Sequence, residues 1–411
     1  MKTTLVLLIL ICGLAAAMQA QVAPSATIGA GTLHYSLRYA QRVETGGNLG
    51  TASTALASGD AGYANASQRL PFSADVSAGY NFSMGAGGEN TGGFENLRLT
   101  QGFVWRSSSL LFSDTVGYRR QAPTTGFAGV AGTGETGVPP DQTNQTILTN
   151  NTSTVNNNAT GEVEHRLNRS LSASAGGGYE MLAYPDGNGY DTDSVSANGG
   201  AGLRLNARNS VTARYVFMEY TYPQFTTTIQ AQSVPIGVER RWTRQIHTML
   251  SAGPQWISSS TTGATPAAGG ATTPPPSSVS YSINAGLNDA LRFGELNVTY
   301  SHGANGGGGF NLGAENDSLF ANFNHELGTR ERASVGVQAG YRRTAGLAKN
   351  GVTNAEYCTA LANRRMGHDF SAFVSYALNY QTTSAVLTAN ALSGTSQIFS
   401  VGIEFSPRHV R

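Results

Sequence analysis

Apolar and polar residues alternate along most of this chain with a period of two. In "RASVGVQAGYRR" the residues Ala333, Val335, Val337, Ala339 and Tyr341 fall on one face of an extended chain. Ser334, Gly336, Gln338, Gly340 and Arg342 fall on the other. Side chains of a strand point to opposite faces in turn, so the pattern predicts a strand with one apolar face. The same pattern recurs in "PFSADVSAGYNF", "SLSASAGGGYEM", "SVSANGGAGLRL", "SVSYSINAGL" and "DFSAFVSYALNY". In "SLLFSDTVGY" Asp114 breaks it. No stretch shows comparable helical periodicity.

The connections sort into two alternating kinds. Tight ones include "WRSSS", "RLNRS", "RLNARNS", "RWTRQ" and "NRRMGHD". Long ones, rich in Gly, Thr, Pro or Asn, cover roughly 120–159, 183–192, 259–277, 303–316, 344–353 and 382–395. Short turns at one end and longer loops at the other are the pattern of outer-membrane barrels. The expected fold is an all-β, transmembrane, antiparallel up-and-down barrel of about 16–18 strands. Both chain ends then lie on the periplasmic side. The least regular segments are Asp60–Gln68, half of an N-terminal hairpin with Leu33–Val43, and Asn354–Arg364, which also reads as one long connection.

Strands leaving a tight turn tend to end in an aromatic. Tyr80, Tyr118, Tyr179, Tyr220, Trp256, Tyr300, Tyr341 and Tyr380 form the expected aromatic girdle at the outer interface. Trp105 and Trp242 sit beside tight turns and suit an inner girdle. The opposite set is the expected lumen wall: Ser73, Asp75, Ser77, Asn81, Ser172, Ser174, Ser196, Asn198, Ser280, Ser282, Asn284, Ser334, Gln338, Ser371 and Asn379.

Composition supports this picture. Only 12% of the 411 residues are charged, about half the fraction usual for soluble domains. Glycine numbers 51, and mean hydropathy is -0.20, which argues against a helical membrane protein. The net charge of +1 argues against nucleic acid as a partner. "MKTTLVLLILICGLAAAMQA" reads as a secretory signal peptide over residues 1–20, cleaved after Ala17 or Ala20. Residues 21–411 then form one barrel, in which only Cys358 remains as a cysteine, so no internal disulfide forms.

"LHYSLRYAQ", "QAPTTGFAGVAGTGE", "YPDGNGYDTDS", "GPQWISSS" and "SHGANGGGGF" resemble a group of porin-like outer-membrane β-barrel proteins of acidobacterial type. The resemblance covers most of the mature chain. It implies barrel architecture and an envelope location, and it carries no catalytic residue. The ending "IFSVGIEFSPRHVR" is similar to the last strand of such barrels, with Ser406–Arg411 following the terminal aromatic.

Catalytic and metal chemistry is sparse. The seven histidines form no ligand cluster. Asp186, Asp191 and Asp193 in "YPDGNGYDTD" are a weak calcium-loop candidate against the simpler reading of a solvated turn. "GANGGGGFNLGAEND" lacks a phosphate-loop Lys-Ser/Thr and reads as a flexible surface loop. Ser301 beside His302 is the nearest hint of a hydrolase, and serine is too common here for it to weigh much. No cofactor and no enzymatic activity are expected. Arginines gather at the tight turns, among them Arg106, Arg166, Arg169, Arg204, Arg208, Arg241, Arg244, Arg330, Arg332, Arg364 and Arg365. They read as solvated turn charge or as a basic periplasmic rim against lipid phosphates.

The leading functional expectation is a porin-like channel for passive, weakly selective diffusion of small polar solutes. The connection 121–159 is its expected loop or plug. The alternative is a non-conducting scaffold or adhesin-like barrel acting through its outer loops. Expected partners are outer-membrane lipids, the barrel-assembly machinery and small polar solutes.

Overall fold

A computed structural model describes residues 31–407 apart from 47–50, 66, 84–91, 122–151, 188, 262–276, 293, 308–310, 329–332, 348–350 and 385–392. The proposed signal peptide therefore lies outside the described residues. The first strands are β1 (Gly31–Gly46), β2 (Thr51–Asn65), β3 (Phe72–Ser83), β4 (Gly92–Val104) and β5 (Ser108–Gln121). Next come β6 (Thr152–Arg166), β7 (Leu171–Ala183), β8 (Thr192–Arg204), β9 (Asn209–Tyr222), β10 (Thr227–Ser233), β11 (Ile236–Arg241) and β12 (Ile246–Thr261). The chain ends with β13 (Ser278–Leu291), β14 (Gly294–Asn305), β15 (Ala314–Leu327), β16 (Ala333–Gly346), β17 (Val352–Arg365), β18 (Phe370–Ser384) and β19 (Gly394–Phe405).

Each strand pairs antiparallel with its sequence neighbours, and β1 also pairs with β19. The sheet is therefore a closed barrel. β10 and β11 keep one register against both β9 and β12, so they are one strand interrupted at Val234 and Pro235. Pro235 has no N–H for the ladder, and Pro254 lies on the facing strand. The barrel thus has eighteen strands, an even number that leaves both ends of the described chain beside the tight turns.

Several sequence boundaries are corrected. The N-terminal hairpin is Gly31–Gly46 with Thr51–Asn65, not Leu33–Val43 with Asp60–Gln68. Val352–Arg365 is a strand, not part of a long connection. The connection expected over 121–159 is shorter, because Gln121 ends β5 and residues 152–159 belong to β6. What remains, 122–151, lies outside the described residues.

Three of the tight turns share one construction. The Asn168 side chain accepts from the N–H groups of Ser170 and Leu171 at 2.8 and 2.9 Å. Asn206 does the same for Arg208 and Asn209, and Thr243 for Gln245 and Ile246. Short polar side chains here replace the backbone partners that the bend removes. Successive turns are laced together: Arg166 N–H donates to Ser107 O, Arg204 N–H to Ser170 O and Arg241 N–H to Arg208 O, at 2.7–2.8 Å. Asn206→Ala removes the one side-chain oxygen that accepts both bonds. We expect it to destabilise the barrel by about 1 kcal/mol, read as a lower urea midpoint for folding into lipid vesicles. An unchanged midpoint would show the turn side chain to be dispensable.

Candidate functional site: the inward face

Directly paired residues share a face, so the register assigns every strand position to one side of the wall. One face carries exposed large apolar groups, including Tyr39, Val76, Phe112, Leu250, Tyr281 and Val401. The other carries the fully buried Arg42, Leu56, Tyr220 and Ile229. On that second face Arg38, Ala40 and Arg42 of β1 meet Leu56 of β2, Phe373 of β18 and Leu361 of β17. Strands that are not neighbours in the sheet meet this way only on the concave side, which is therefore the inside.

All the Ser, Asn, Gln and Asp residues expected on the lumen wall fall at inward register positions. Ser77 lies opposite Asp60 and Asn96, for example, and Ser371 opposite Glu404. Seven of the eight expected girdle aromatics fall at outward positions; Tyr220 does not. It is 1% exposed and faces inward, opposite the equally buried Ile229. Its distance from the tight turn suits a girdle, but its parity is wrong. At the end of β9 the usual alternation is inverted, with Met218, Tyr220 and Tyr222 inward and Glu219 and Thr221 outward, so an aromatic there does not mark the outer face.

Sequence reasoning misses most charges of the inward face, since its expected wall holds only Asp75. They are of both signs, and four contacts bring an acid against an arginine or a histidine. His34 meets Asp75 at 3.7 Å, Arg38 meets Glu404 at 3.6 Å, Arg214 meets Glu162 at 3.4 Å and His247 meets Glu239 at 2.6 Å. The Arg38 guanidinium also lies 4.1 Å from the centre of the Phe373 ring. The signal is present in "LHYSLRYAQRVE", where His34, Arg38, Arg42 and Glu44 fall on the face opposite Tyr39 and Val43. Bulky inward groups lie over glycines of the next strand: Phe373 over Gly402, Phe94 over Gly79 and Tyr357 over Gly340. A Cβ at those glycines would meet the ring, so the pairing keeps large side chains flat against the wall.

The mouth beside the long connections is narrowed by the chain itself. The buried Tyr222 hydroxyl of β9 donates to Gly306 O at 2.9 Å and accepts from Gly313 N–H at 2.8 Å. These glycines flank the β14–β15 connection, several strands away around the wall. Leu312 packs with Tyr220, Tyr222, Ile229, Ala231 and Ile257, and Leu347 adds to the cluster. Ala304 N–H donates to the Gln255 side chain at 3.0 Å. Gly307 and Gly313 adopt φ of +71° and +67°, the left-handed region that favours glycine. The described part of this connection is thus folded inward, not a free surface loop as expected.

Two other candidates do not assemble. Asp186 accepts from Ser153 N–H, Asp191 from Tyr184 N–H and Asp193 from the Tyr179 hydroxyl, at 2.8–2.9 Å. The three carboxylates hold three separate donors and do not converge as a calcium site. Ser301 and His302 point to opposite faces. His302 faces outward, 2.7 Å from Asp317, which Arg343 and the Tyr300 hydroxyl also contact at 3.4 and 3.2 Å. A nucleophile–base pair across the wall is impossible.

No protein-family model and no curated protein sequence matches the chain. Among solved structures it is similar to OccK2 (OpdF) of Pseudomonas aeruginosa, at 9% identity and TM-score 0.46, over 92% of this chain and 98% of that one. It is similar to OccAB3 of Acinetobacter baumannii, at 8% identity and TM-score 0.45, over 92% and 99%. It is also similar to BauA, the ferric preacinetobactin receptor of Acinetobacter baumannii, at 10% identity and TM-score 0.44, over 90% and 80%. At such scores no substrate, site or mechanism passes from those proteins to this chain.

Tyr222→Phe leaves Gly306 O and Gly313 N–H without their shared partner. Burying an unpaired backbone group costs roughly 1–3 kcal/mol. We expect faster amide exchange at Gly313 and earlier protease cutting within 306–313, with the remaining ladder amides unchanged. Equal exchange in both proteins would mean that the apolar packing of Leu312 alone holds the connection.

Proposed function

We propose that the protein is an outer-membrane, porin-like channel for passive, weakly selective diffusion of small polar solutes. The carrying observation is a closed eighteen-stranded wall, apolar outside and polar inside. Barrels of about 16–18 strands are wide enough to hold water. An apolar exterior over a closed backbone ladder suits lipid. A signal-peptide reading of residues 1–20 supports export to the outer membrane, and the resemblance to barrels of acidobacterial type agrees with it.

Weak selectivity is supported by the inward charges, which are of both signs, with Arg38 beside Glu404 and Arg214 beside Glu162. A strongly selective filter needs a ring of one sign. Ser73, Asp75, Ser77 and the other inward positions of the expected set are proposed as the lumen wall, in which Asn81 and Asn379 are buried among neighbouring side chains. The described part of the β14–β15 connection, Gly306, Gly307 and residues 311–313, is the proposed constriction, and the connection expected over 121–159 is proposed as a second loop or plug. Outer-membrane lipids and the barrel-assembly machinery are the proposed partners of the exterior and of the last strand.

The inward fold of the described residues of the β14–β15 connection also favours a second reading, a barrel closed at its mouth that acts through its outer connections. Planar-bilayer recordings of the intact protein separate the two. We expect stepwise conductance, little preference between small cations and anions, and larger or noisier steps for Tyr222→Phe. A folded, heat-modifiable barrel that gives no steps, even with Tyr222→Phe and with 122–151 deleted, would reject the channel.

A further inference from the structure

The tight turns repeat a composition that the channel reading does not use. Four successive turns carry a large apolar residue followed within three positions by arginine: Trp105 with Arg106, Leu167 with Arg169, Leu205 with Arg208 and Trp242 with Arg244. The four apolar side chains are 50–58% exposed. Each directly follows an inward position, or closes an inward-ending strand, and so stands on the outward side. Leu70 beside Arg69 and Leu291 beside Arg292 repeat the pairing on other hairpins.

The backbone sets these pairs at one height. The turn-to-turn hydrogen bonds from Arg166, Arg204 and Arg241 lace the four turns into a row. Neighbouring hairpins are two strands apart, about 9–10 Å, close to the width of one phospholipid headgroup. Arg106, Arg169, Arg208 and Arg244 are exposed, and among the described residues none is in an ion pair. The nearby acids Glu164, Glu239 and Glu295 lie at inward register positions; Asp289 faces outward and Asp369 lies in the last turn. The described residues of the connection 184–191 at the other end carry Asp186 and Asp191 and no cation.

We propose that this rim binds the phosphate headgroups of anionic phospholipids, one arginine and one apolar side chain per hairpin. The arginine fork matches phosphate oxygens in paired hydrogen bonds. The apolar partner enters the acyl boundary beside it. A free anion would engage the arginines and leave the outward apolar row unused. A protein partner would call for a patch on one side, whereas the motif repeats from hairpin to hairpin around the wall.

Two of the three tryptophans, Trp105 and Trp242, belong to the rim and report on it. In a Trp256→Phe parent folded into phosphatidylcholine vesicles, we expect brominated phosphatidylglycerol to quench tryptophan more than brominated phosphatidylcholine. The relative association should be about fivefold and should fall with salt. The quadruple variant Arg106→Gln, Arg169→Gln, Arg208→Gln, Arg244→Gln should bring the two lipids to parity, with heat-modifiable mobility retained. Equal quenching in the parent would overturn the proposal. So would an unchanged preference in the quadruple variant, or a preference abolished by inorganic phosphate but not by chloride at the same ionic strength. If the quadruple variant fails to fold, the parent's lipid preference and its salt dependence still decide.

Discussion

Closure of the backbone ladder is the constraint on which the rest of the structure depends. In hydrocarbon an unpaired N–H or C=O has no water to fall back on, and a sheet edge is a row of such groups. Ten residue pairs between β1 and β19 remove that edge. Side chains fasten the seam on both faces. Inside, Arg38 reaches Glu404 and the Ser396 hydroxyl donates to Glu44 at 3.3 Å. Outside, Phe405 packs with Tyr35 and Phe370, ring centres 6.4 and 5.1 Å apart. An even strand number, turns of one kind at one end and both ends of the described chain beside them all follow from this antiparallel closure in an up-and-down barrel.

With the ladder closed, each strand must satisfy two solvents at once, and this is what the sequence displays. In β18 the outward Phe370, Val374, Tyr376 and Tyr380 alternate with the buried Phe373, Ser375, Ala377 and Asn379. Where the contrast between faces is weak, the reading weakens with it. β2 presents Ser53, Ala55, Ala57, Gly59 and Ala61 outward, too small to mark a lipid face, so its boundaries do not show in the pattern. β17 presents Cys358, Ala360 and Ala362, and resembles a connection for the same reason. The inward charges are hidden differently: a search for small polar residues passes over an arginine that occupies the same parity.

The mouth is not legible in the sequence because its contacts are long-range. Tyr222 and Gly306 are 84 residues apart, and nothing local marks either as a partner of the other. The glycine run explains only that the connection can turn sharply. What decides its position is the apolar inward face at the end of β9, Met218, Tyr220 and Tyr222, which needs cover. Leu312 supplies it, and the Tyr222 hydroxyl satisfies the two backbone groups that the inward turn would otherwise bury unpaired. The same inward aromatic that looks like a girdle residue by its height, Tyr220, is thus part of what draws the connection inside.

Folding order adds a further demand on the seam. Its two strands lie at opposite ends of the sequence, so their pairing closes the longest loop in the molecule. Every other ladder joins neighbours and gains from local turns such as those capped by Asn168, Asn206 and Thr243. The closing pair has no turn to help it. Arg38 compensates by engaging two elements at once, Glu404 across the seam and the Phe373 ring one strand further on. Phe373 in turn occupies the space over Gly402, on the strand between. An arginine, an aromatic ring and a missing side chain therefore interlock β1, β18 and β19 on the inner face, where the charge pair that closes the wall is also part of its lining.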